Sequence, residues 1–387
     1  MDIKRNILLN PGPATTSNTV KNAQIVPDIC PREEEFGQIM EFISKELTNF
    51  VGSNEKYTTV LFGGSGTAAV EAIISSVVNN ENILIINNGS YGERMCQMAE
   101  IYNLNYIDFK CSPIYGIDFI KLEEVIKEYN EGISEEINIY NIKDRITSSR
   151  ISHIALIHHE TTTGILNDIG RVGELCNKYK IDMIVDAMSS FAGIPINMEK
   201  MNVKYLASSS NKCIQGMAGV SFVIANKESL EKTKNIKPRN LYLNLYEQYS
   251  YFKNTYQMRF TPPVQVLYAL KQAIIEAKEE TVEKRNERYR SCCKVLLAGL
   301  DKIGLKPLIE EEKSSMLLTS IIEPKNDYYS FKSLHDYLYS QGITVYPGKV
   351  GIENTFRIAN IGEIFPSDIE ILIETLEIYF KELYVLS

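Results

Sequence analysis

The sequence predicts an α/β protein with a large domain on a mostly parallel seven-stranded sheet and a smaller C-terminal α+β domain. Its 387 residues exceed the size at which one hydrophobic core stops growing, about 250–300 residues. Short apolar runs alternate with amphipathic stretches, which is typical of βα units and a parallel sheet. The balance of 44% apolar and 23% charged residues is that of an ordinary globular protein.

Seven apolar runs carry the predicted strands of the sheet, and five amphipathic stretches carry the predicted helices between them. We expect the strands at residues 58–62, 82–87, 105–109, 153–158, 182–186, 204–208 and 220–225. We expect the helices at residues 33–51, 67–78, 92–102, 119–129 and 171–179. The polar stretch 128–152 is expected to form a helix end and a surface excursion.

The smaller domain is expected after a long helical pattern that begins at the proline pair 262–263. A second helix near 284–304 leads into a unit with the pattern strand–helix–strand–strand–helix. We therefore expect a large domain at 15–283 and a small domain at 284–387, which the N-terminal arm 1–14 joins.

Charge and cysteine content argue against several classes of function. The 49 acidic and 41 basic side chains give a net charge of −8, which disfavours nucleic-acid binding, although a locally positive pocket could bind small anions. Seven scattered cysteines without a C-x-x-C pair indicate a reducing compartment. The N-terminal apolar stretch is too short for a signal peptide, and no apolar run reaches the roughly 18 residues of a membrane span. We expect a cytoplasmic protein that binds neither nucleic acid nor membrane.

A glycine-containing loop, residues 64–69 (G-S-G-T-A-A), follows the first predicted strand and opens a helix. It matches one form of the dinucleotide fingerprint, but that site also needs an acid at the end of the next strand, and residues 86–89 read I-N-N-G. N–H groups at a helix N-terminus bind a single phosphate, and Ser65 and Thr67 add hydroxyl donors. The loop favours a phosphate site; its structural alternative is a tight strand-to-helix turn.

An aspartate and a lysine stand at two neighbouring predicted strand ends. Asp186 closes an apolar strand, where sites in open α/β sheets lie, and a buried carboxylate needs a cation or several donors. Lys212 follows 26 residues on, in a loop where desolvation would lower its pKa and free the amine as a nucleophile. Singly, Asp186 could cap a helix and Lys212 could be an exposed loop residue. Together they fit pyridoxal 5′-phosphate (PLP), held on Lys212 as a Schiff base.

Residues 158–164 read H-H-E-T-T-T-G at another strand end. Adjacent histidines on a strand point to opposite faces, and the chain has only four histidines, so we expect no metal site. The better interpretation is a hydroxyl-lined turn in which one threonine bonds the ring oxygen of the cofactor.

With these residues the chain resembles the class V, fold-type I, PLP-dependent aminotransferases. The motifs that carry the resemblance span nearly the whole chain, at residues 9–13, 28–33, 158–164, 211–216, 259–263 and 356–362. Within the class it is most similar to enzymes that move the amino group of 2-aminoethylphosphonate to pyruvate. The alternative is an alanine–glyoxylate or serine–pyruvate aminotransferase.

The resemblance implies a role for each cofactor contact. Lys212 would carry PLP and shuttle the proton, and Asp186 would pair with the pyridine nitrogen. The other contacts would hold the phosphate (Ser65, Gly66, Thr67), cover the two ring faces (Tyr91, Met188) and bond the ring hydroxyl (Thr161).

The resemblance also implies contacts to substrates and to a second subunit. Thr261 would reach the phosphate in the partner subunit, so a homodimer with shared active sites is expected. Arg357 and Asn10 would bind the substrate, an aminophosphonate or a 2-oxo acid. The planar fork of an arginine suits a carboxylate or phosphonate better than a lysine does.

Overall fold

A computed structural model describes residues 5–131, 150–351 and 353–385. Most of the predicted surface excursion at 128–152 lies outside these residues. The described strands are β1 (Ile7–Leu8), β2 (Tyr57–Gly63), β3 (Asn82–Asn87), β4 (Tyr106–Lys110), β5 (Ile151–Ile157), β6 (His159–Glu160), β7 (Ile165–Leu166), β8 (Asp182–Asp186), β9 (Val203–Ser209), β10 (Val220–Asn226), β11 (Leu318–Ile322), β12 (Ile343–Thr344), β13 (Tyr346–Val350) and β14 (Glu353–Ala359).

The described helices surround these strands and follow them in the chain. They are α1 (Asn18–Asn22), α2 (Glu34–Asn49), α3 (Gly66–Val77), α4 (Ser90–Ile101), α5 (Phe119–Glu131), α6 (Ile169–Tyr179), α7 (Lys227–Lys232), α8 (Leu245–Thr255), α9 (Val264–Glu280), α10 (Val282–Lys302), α11 (Phe331–Ser340) and α12 (Pro366–Val385). Among the described residues, no helix has both the length and the apolar character that a membrane crossing requires.

The predicted seven-stranded, mostly parallel sheet is confirmed. Its strand order is β2-β10-β9-β8-β5-β3-β4, and β10 alone runs opposite to the other six strands. Strand β3 is buried along its whole length because helices cover both faces of a parallel sheet. Its side chains alternate between two cores: Leu84 and Ile86 pack with α2, α5, α6 and α9, while Ile83 and Ile85 pack with α3 and α4.

The candidate site lies at one edge of this sheet. Strands β5, β8 and β9 run parallel, so their carboxyl ends meet there, with Asp186 opposite Ala207. The loops that leave these strands gather at this edge, which is where open α/β sheets bind ligands.

The C-terminal part has its own core, as expected for a smaller α+β domain. An antiparallel sheet of order β11-β14-β13 packs with α10, α11 and α12. The predicted unit has two strands between its last two helices, and the structure has three. The extra strand, β12, has only two residues and pairs in parallel with β1 of the N-terminal arm, so its sequence carries little strand pattern. The boundary between 283 and 284 stays a prediction.

Candidate active site

A cavity of about 490 Å³ opens at the carboxyl edge of the large sheet. The ends of β8 and β9 and the starts of α3 and α4 form its wall. Seven of the predicted site residues line it: Ser65, Gly66, Thr67, Tyr91, Asp186, Met188 and Lys212. The structure therefore brings together residues that lie almost 150 positions apart in the sequence.

Lys212 lies in the loop that connects β9 to β10, and its amine is half-enclosed by the N-terminal arm. Nζ donates a hydrogen bond to the carbonyl of Pro11 at 2.7 Å. The approach is so close that a Cβ on Gly12 would lie 2.2 Å from Nζ, and Gly12 also has a φ of +135°. Only glycine satisfies both conditions. Burial lowers the pKa of Lys212, against the opposing influence of Cys213 and Asp186, which increases the share of the neutral, nucleophilic amine.

Asp186 ends strand β8 with its carboxylate buried. Its Oδ1 accepts a hydrogen bond from the backbone N–H of Met188 at 2.8 Å, and Oδ2 has no partner among the described residues. Burial raises the pKa of Asp186 to about 6, since the charged form loses its hydration. The charge of Glu160 also raises this pKa, while Lys212 and Arg94 lower it. A cationic N–H donor placed in the cavity would satisfy this carboxylate.

Asp186→Asn is expected to stabilise the ligand-free protein above pH 6. Because the pKa of Asp186 is raised in the folded state, its contribution to stability is complete below the unfolded pKa and is lost as the pH rises through about 6. Asparagine does not ionise. The difference between the ordinary value near 4 and about 6 corresponds to roughly 3 kcal/mol gained at about pH 8 relative to pH 4.

Melting temperatures of both proteins at the two pH values check this expectation. The matched control is Asp182→Asn at the opposite, half-buried end of the same strand. Equal effects of Asp186→Asn at both pH values would contradict a buried, ionising carboxylate.

The loop before α3 presents unpaired backbone donors to the cavity. Helix α3 begins at Gly66, and no side chain caps its N-terminus. The N–H groups of Gly66 and Thr67 have no hydrogen-bond acceptor among the described residues. A Cβ on Gly66 would lie 2.2 Å from the sulfur of Met188, so glycine lets this side chain close one side of the cavity. Free N–H groups and the helix dipole make the loop suitable for a phosphate.

Tyr91 lines the cavity from the start of α4, and a carboxylate from β6 fixes this helix end. Glu160 is fully buried and accepts hydrogen bonds from the N–H of Tyr91 at 3.2 Å and the N–H of Thr162 at 3.0 Å. It also accepts from Oγ1 of Thr162 at 2.6 Å. Gly89 is required here, because a Cβ would lie 2.4 Å from the carboxyl carbon of Glu160. Burial raises the pKa of Glu160, against these hydrogen bonds.

The structure places the other four predicted site residues outside the cavity lining. Arg357, on β14, donates from Nε and Nη2 to the carbonyl of Pro347 and from Nη1 to the carbonyl of Thr161 at 3.2 Å. Thr161 is buried, and Asn10 has a buried Oδ1 without a partner. Thr261 is exposed. Their roles stay predictions.

The strand predicted at 153–158 ends one residue early. His158 lies between β5 and β6, and its Nδ1 is 2.9 Å from Oγ of Ser190. Nε2 of His159 is 2.9 Å from Oγ of Ser315, so the two rings have different partners. Burial lowers the pKa of His158 to about 4, and both rings are neutral near pH 7.

Two residues that the sequence reasoning missed belong to the site. Arg94 lines the cavity, and its position three residues after Tyr91 on a predicted helix was the available signal, since such residues share a face. Glu160 stands directly before Thr161 in the H-H-E-T-T-T-G motif, but its bond to the start of α4 depends on a distance that no local pattern encodes.

Comparisons with known proteins agree with this architecture. The model of the family "Aminotransferase class-V" matches residues 124–362. The chain is 36% identical to 2-aminoethylphosphonate–pyruvate transaminase of Klebsiella pneumoniae, with 99% of this chain and 100% of that protein covered. It is 39% identical to the bifunctional phosphonoacetaldehyde hydrolase/aminoethylphosphonate transaminase of Clostridioides difficile, over 96% of this chain but only 56% of that longer protein.

Solved structures show the same fold. Ureidoglycine–glyoxylate aminotransferase of Bacillus subtilis superposes with a TM-score of 0.86 at 20% identity, covering 99% of this chain and 95% of that one. Alanine–glyoxylate aminotransferase of Nostoc sp. superposes with a TM-score of 0.85 at 24% identity, covering 97% and 96%.

Proposed function

The chain belongs to the aminotransferase class-V family, and we propose that it transfers the amino group of 2-aminoethylphosphonate to pyruvate. The products are phosphonoacetaldehyde and L-alanine. One observation carries the choice of substrates: the similarity, over nearly the whole chain, to relatives whose names specify this amino donor. The cofactor of the family is PLP.

Three features of the cavity fit PLP. The free N–H groups at the start of α3 suit its phosphate, and Ser65 and Thr67 add hydroxyls. The unpaired Oδ2 of Asp186 suits a protonated ring nitrogen, which would also return the pKa of this carboxylate toward its ordinary value. The amine of Lys212 lies in the same cavity and suits a covalent link to an aldehyde.

The residues around the ring would orient it for reaction. When bound, PLP withdraws electrons from the carbon that carries the amino group. The carboxylate of Asp186 would hold a proton on the ring nitrogen. Tyr91 and Met188 would cover the two ring faces, and Thr161 would bond the ring hydroxyl. Glu160 would keep Tyr91 in place through the backbone of α4.

Lys212 would act twice. Its amine, whose pKa burial lowers, would first carry the cofactor and then give way to the amine of the substrate. The released Nζ would take the proton from the substrate carbon and return it on the cofactor side, as a positioned general base and acid. Arg357 and Asn10 would bind the acid group of the substrate.

An assay of defined donor and acceptor pairs tests the proposed function. Protein reconstituted with PLP would receive 2-aminoethylphosphonate, β-alanine or L-serine with pyruvate or glyoxylate, or L-alanine with glyoxylate, and chromatography would measure the amino-acid product. We expect kcat/KM for 2-aminoethylphosphonate with pyruvate to exceed that of the other pairs by about 100-fold or more. Activity confined to glyoxylate would contradict the proposal and support an alanine–glyoxylate or serine–pyruvate enzyme.

We also infer a homodimer in which Thr261 reaches the phosphate site of the partner subunit. An exposed apolar cluster next to the cavity supports this inference. Tyr242 and Phe260 stack at 5.2 Å, the hydroxyl of Tyr242 donates to the carbonyl of Gly63 at the end of β2, and Leu241 is 71% exposed. Clustered exposed apolar side chains of this kind suit a protein interface. Light scattering should give the mass of two chains, and a monomer at micromolar concentration would contradict it.

We place the protein in the cytoplasm of its host. The seven cysteines are all unpaired, and five of them are buried, which suits a reducing compartment. Fractionation of host cells should find the protein with cytoplasmic markers, and recovery with secreted proteins would contradict the placement.

A further inference from the structure

Arg94 lines the cavity, with its guanidinium against the ring of Tyr91. It lies near the start of α4, and its Cζ is 4.9 Å from the ring centre of Tyr91. Within the described parts of the chain, its guanidinium has neither a carboxylate at ion-pair distance nor a hydrogen-bond acceptor. Its positive charge opposes the burial that raises the pKa of Asp186, so its field reaches into the cavity. This exposed cation therefore lines the cavity with the ring of Tyr91 as its one described contact.

Arg357, by contrast, has few donors left. A guanidinium has five N–H donors, and three of those on Arg357 already bond the carbonyls of Pro347 and Thr161. The two that remain match one carboxylate in a bidentate pair. A phosphonate has three oxygens and, like a phosphate, close to two negative charges near pH 7, so Arg357 alone leaves it partly unsatisfied.

Tyr91 lies between these two arginines. Its ring centre lies 4.9 Å from Cζ of Arg94. Its backbone N–H donates to Glu160, and Arg357 donates to the carbonyl of the next residue, Thr161. Arg94 thus contacts the cavity-lining ring of Tyr91 directly, and Arg357 is anchored to the loop that holds the backbone of Tyr91.

We propose that Arg94 is a specificity-determining residue, which binds the phosphonate together with Arg357 and favours it over a carboxylate. The inference rests on the proposed function. A transaminase must accept both of its amino donors in one site. L-Alanine, with one carboxylate, is satisfied by the free donors of Arg357, whereas 2-aminoethylphosphonate recruits the second guanidinium as well.

The test compares the two half-reactions of one enzyme. The cofactor absorbance would follow the reaction of 2-aminoethylphosphonate or L-alanine with the PLP-loaded wild type, Arg94→Gln and Arg94→Lys. Inhibition by ethylphosphonate and by propionate, which have no amine, measures recognition of the anion without chemistry. The matched control is Arg290→Gln, an exposed helical arginine on α10 that does not line the cavity.

Arg94→Gln is expected to raise the half-saturating concentration of 2-aminoethylphosphonate and the inhibition constant of ethylphosphonate by about 10- to 100-fold. The values for L-alanine and propionate should change by less than about 3-fold. The constants of Arg94→Lys should lie between those of the wild type and Arg94→Gln, since lysine keeps the charge but lacks the planar set of N–H donors of a guanidinium. Arg290→Gln should match the wild type.

Equal losses for both amino donors, or weaker binding of PLP in Arg94→Gln, would overturn the inference, because Arg94 would then serve the cofactor or the fold. Failure of the wild type to react with 2-aminoethylphosphonate would instead defeat the proposed function. In that case the ratio of the inhibition constants of ethylphosphonate and propionate, compared between the wild type and Arg94→Gln, still decides the role of Arg94.

Discussion

Lys212→Ala is expected to lower the rate of transamination by about 10⁴-fold or more, the largest effect of any single substitution. The variant loses both functions of Nζ: the covalent hold on PLP and the transfer of the proton at the substrate carbon. Each function needs a neutral amine inside the cavity, which the buried position and lowered pKa of Lys212 favour. Steady-state rates with 2-aminoethylphosphonate and pyruvate measure the loss.

Circular dichroism should show that the Lys212→Ala fold is retained. The amine makes a single hydrogen bond, to the carbonyl of Pro11, and its removal relieves the desolvation of a buried group. Lys284→Ala is the matched control, since this exposed lysine lies on α10 and does not line the cavity. Residual activity of Lys212→Ala within tenfold of the control would show that another amine holds the cofactor and transfers the proton.

Asp186→Asn is expected to lower kcat/KM by about 10²- to 10³-fold in the PLP-loaded enzyme. The amide has nearly the same shape as the carboxylate but no charge, so the ring nitrogen loses its counter-ion in a buried site. Breaking a buried ion pair from one side costs about 3–5 kcal/mol, and each 1.4 kcal/mol is about tenfold in rate. The pH optimum and the cofactor absorbance should change together with the rate.

The same substitution therefore separates stability from activity. Asp186→Asn should make the ligand-free protein more stable above pH 6 and the loaded enzyme less active, because a buried carboxylate without its partner destabilises the fold. Asp182→Asn, at the other end of β8, controls for the loss of one charge. Full activity of Asp186→Asn would show that this carboxylate does not contact the cofactor.

The large sheet and the two central site residues follow from the sequence for a physical reason. Parallel strands covered on both faces must be largely apolar, and the four central residues of β3, I-L-I-I, are such a run. A polar residue that ends such a strand, as Asp186 does, is costly to bury and therefore stands out. Lys212 stands out in the same way, because its loop contains no other charged residue.

The contacts that depend on distant parts of the chain could not be predicted. Glu160 accepts a hydrogen bond from the start of α4 across 69 positions, and its role depends on how β6 and α4 meet in the fold. The two-residue strand β12 is defined only by its pairing with β1 of the N-terminal arm. Arg94 resembles any exposed helical arginine until the position of α4 beside the cavity is known.

Chemical trapping of the cofactor tests the central claim most directly. Borohydride would reduce the carbon–nitrogen link in the PLP-loaded wild type, and mass spectrometry of the digested protein would locate the modified lysine. We expect the modification on Lys212 and none in the Lys212→Ala variant. Modification of a different lysine, or an unmodified protein after reconstitution with PLP, would contradict the assignment of Lys212 as the residue that carries the cofactor.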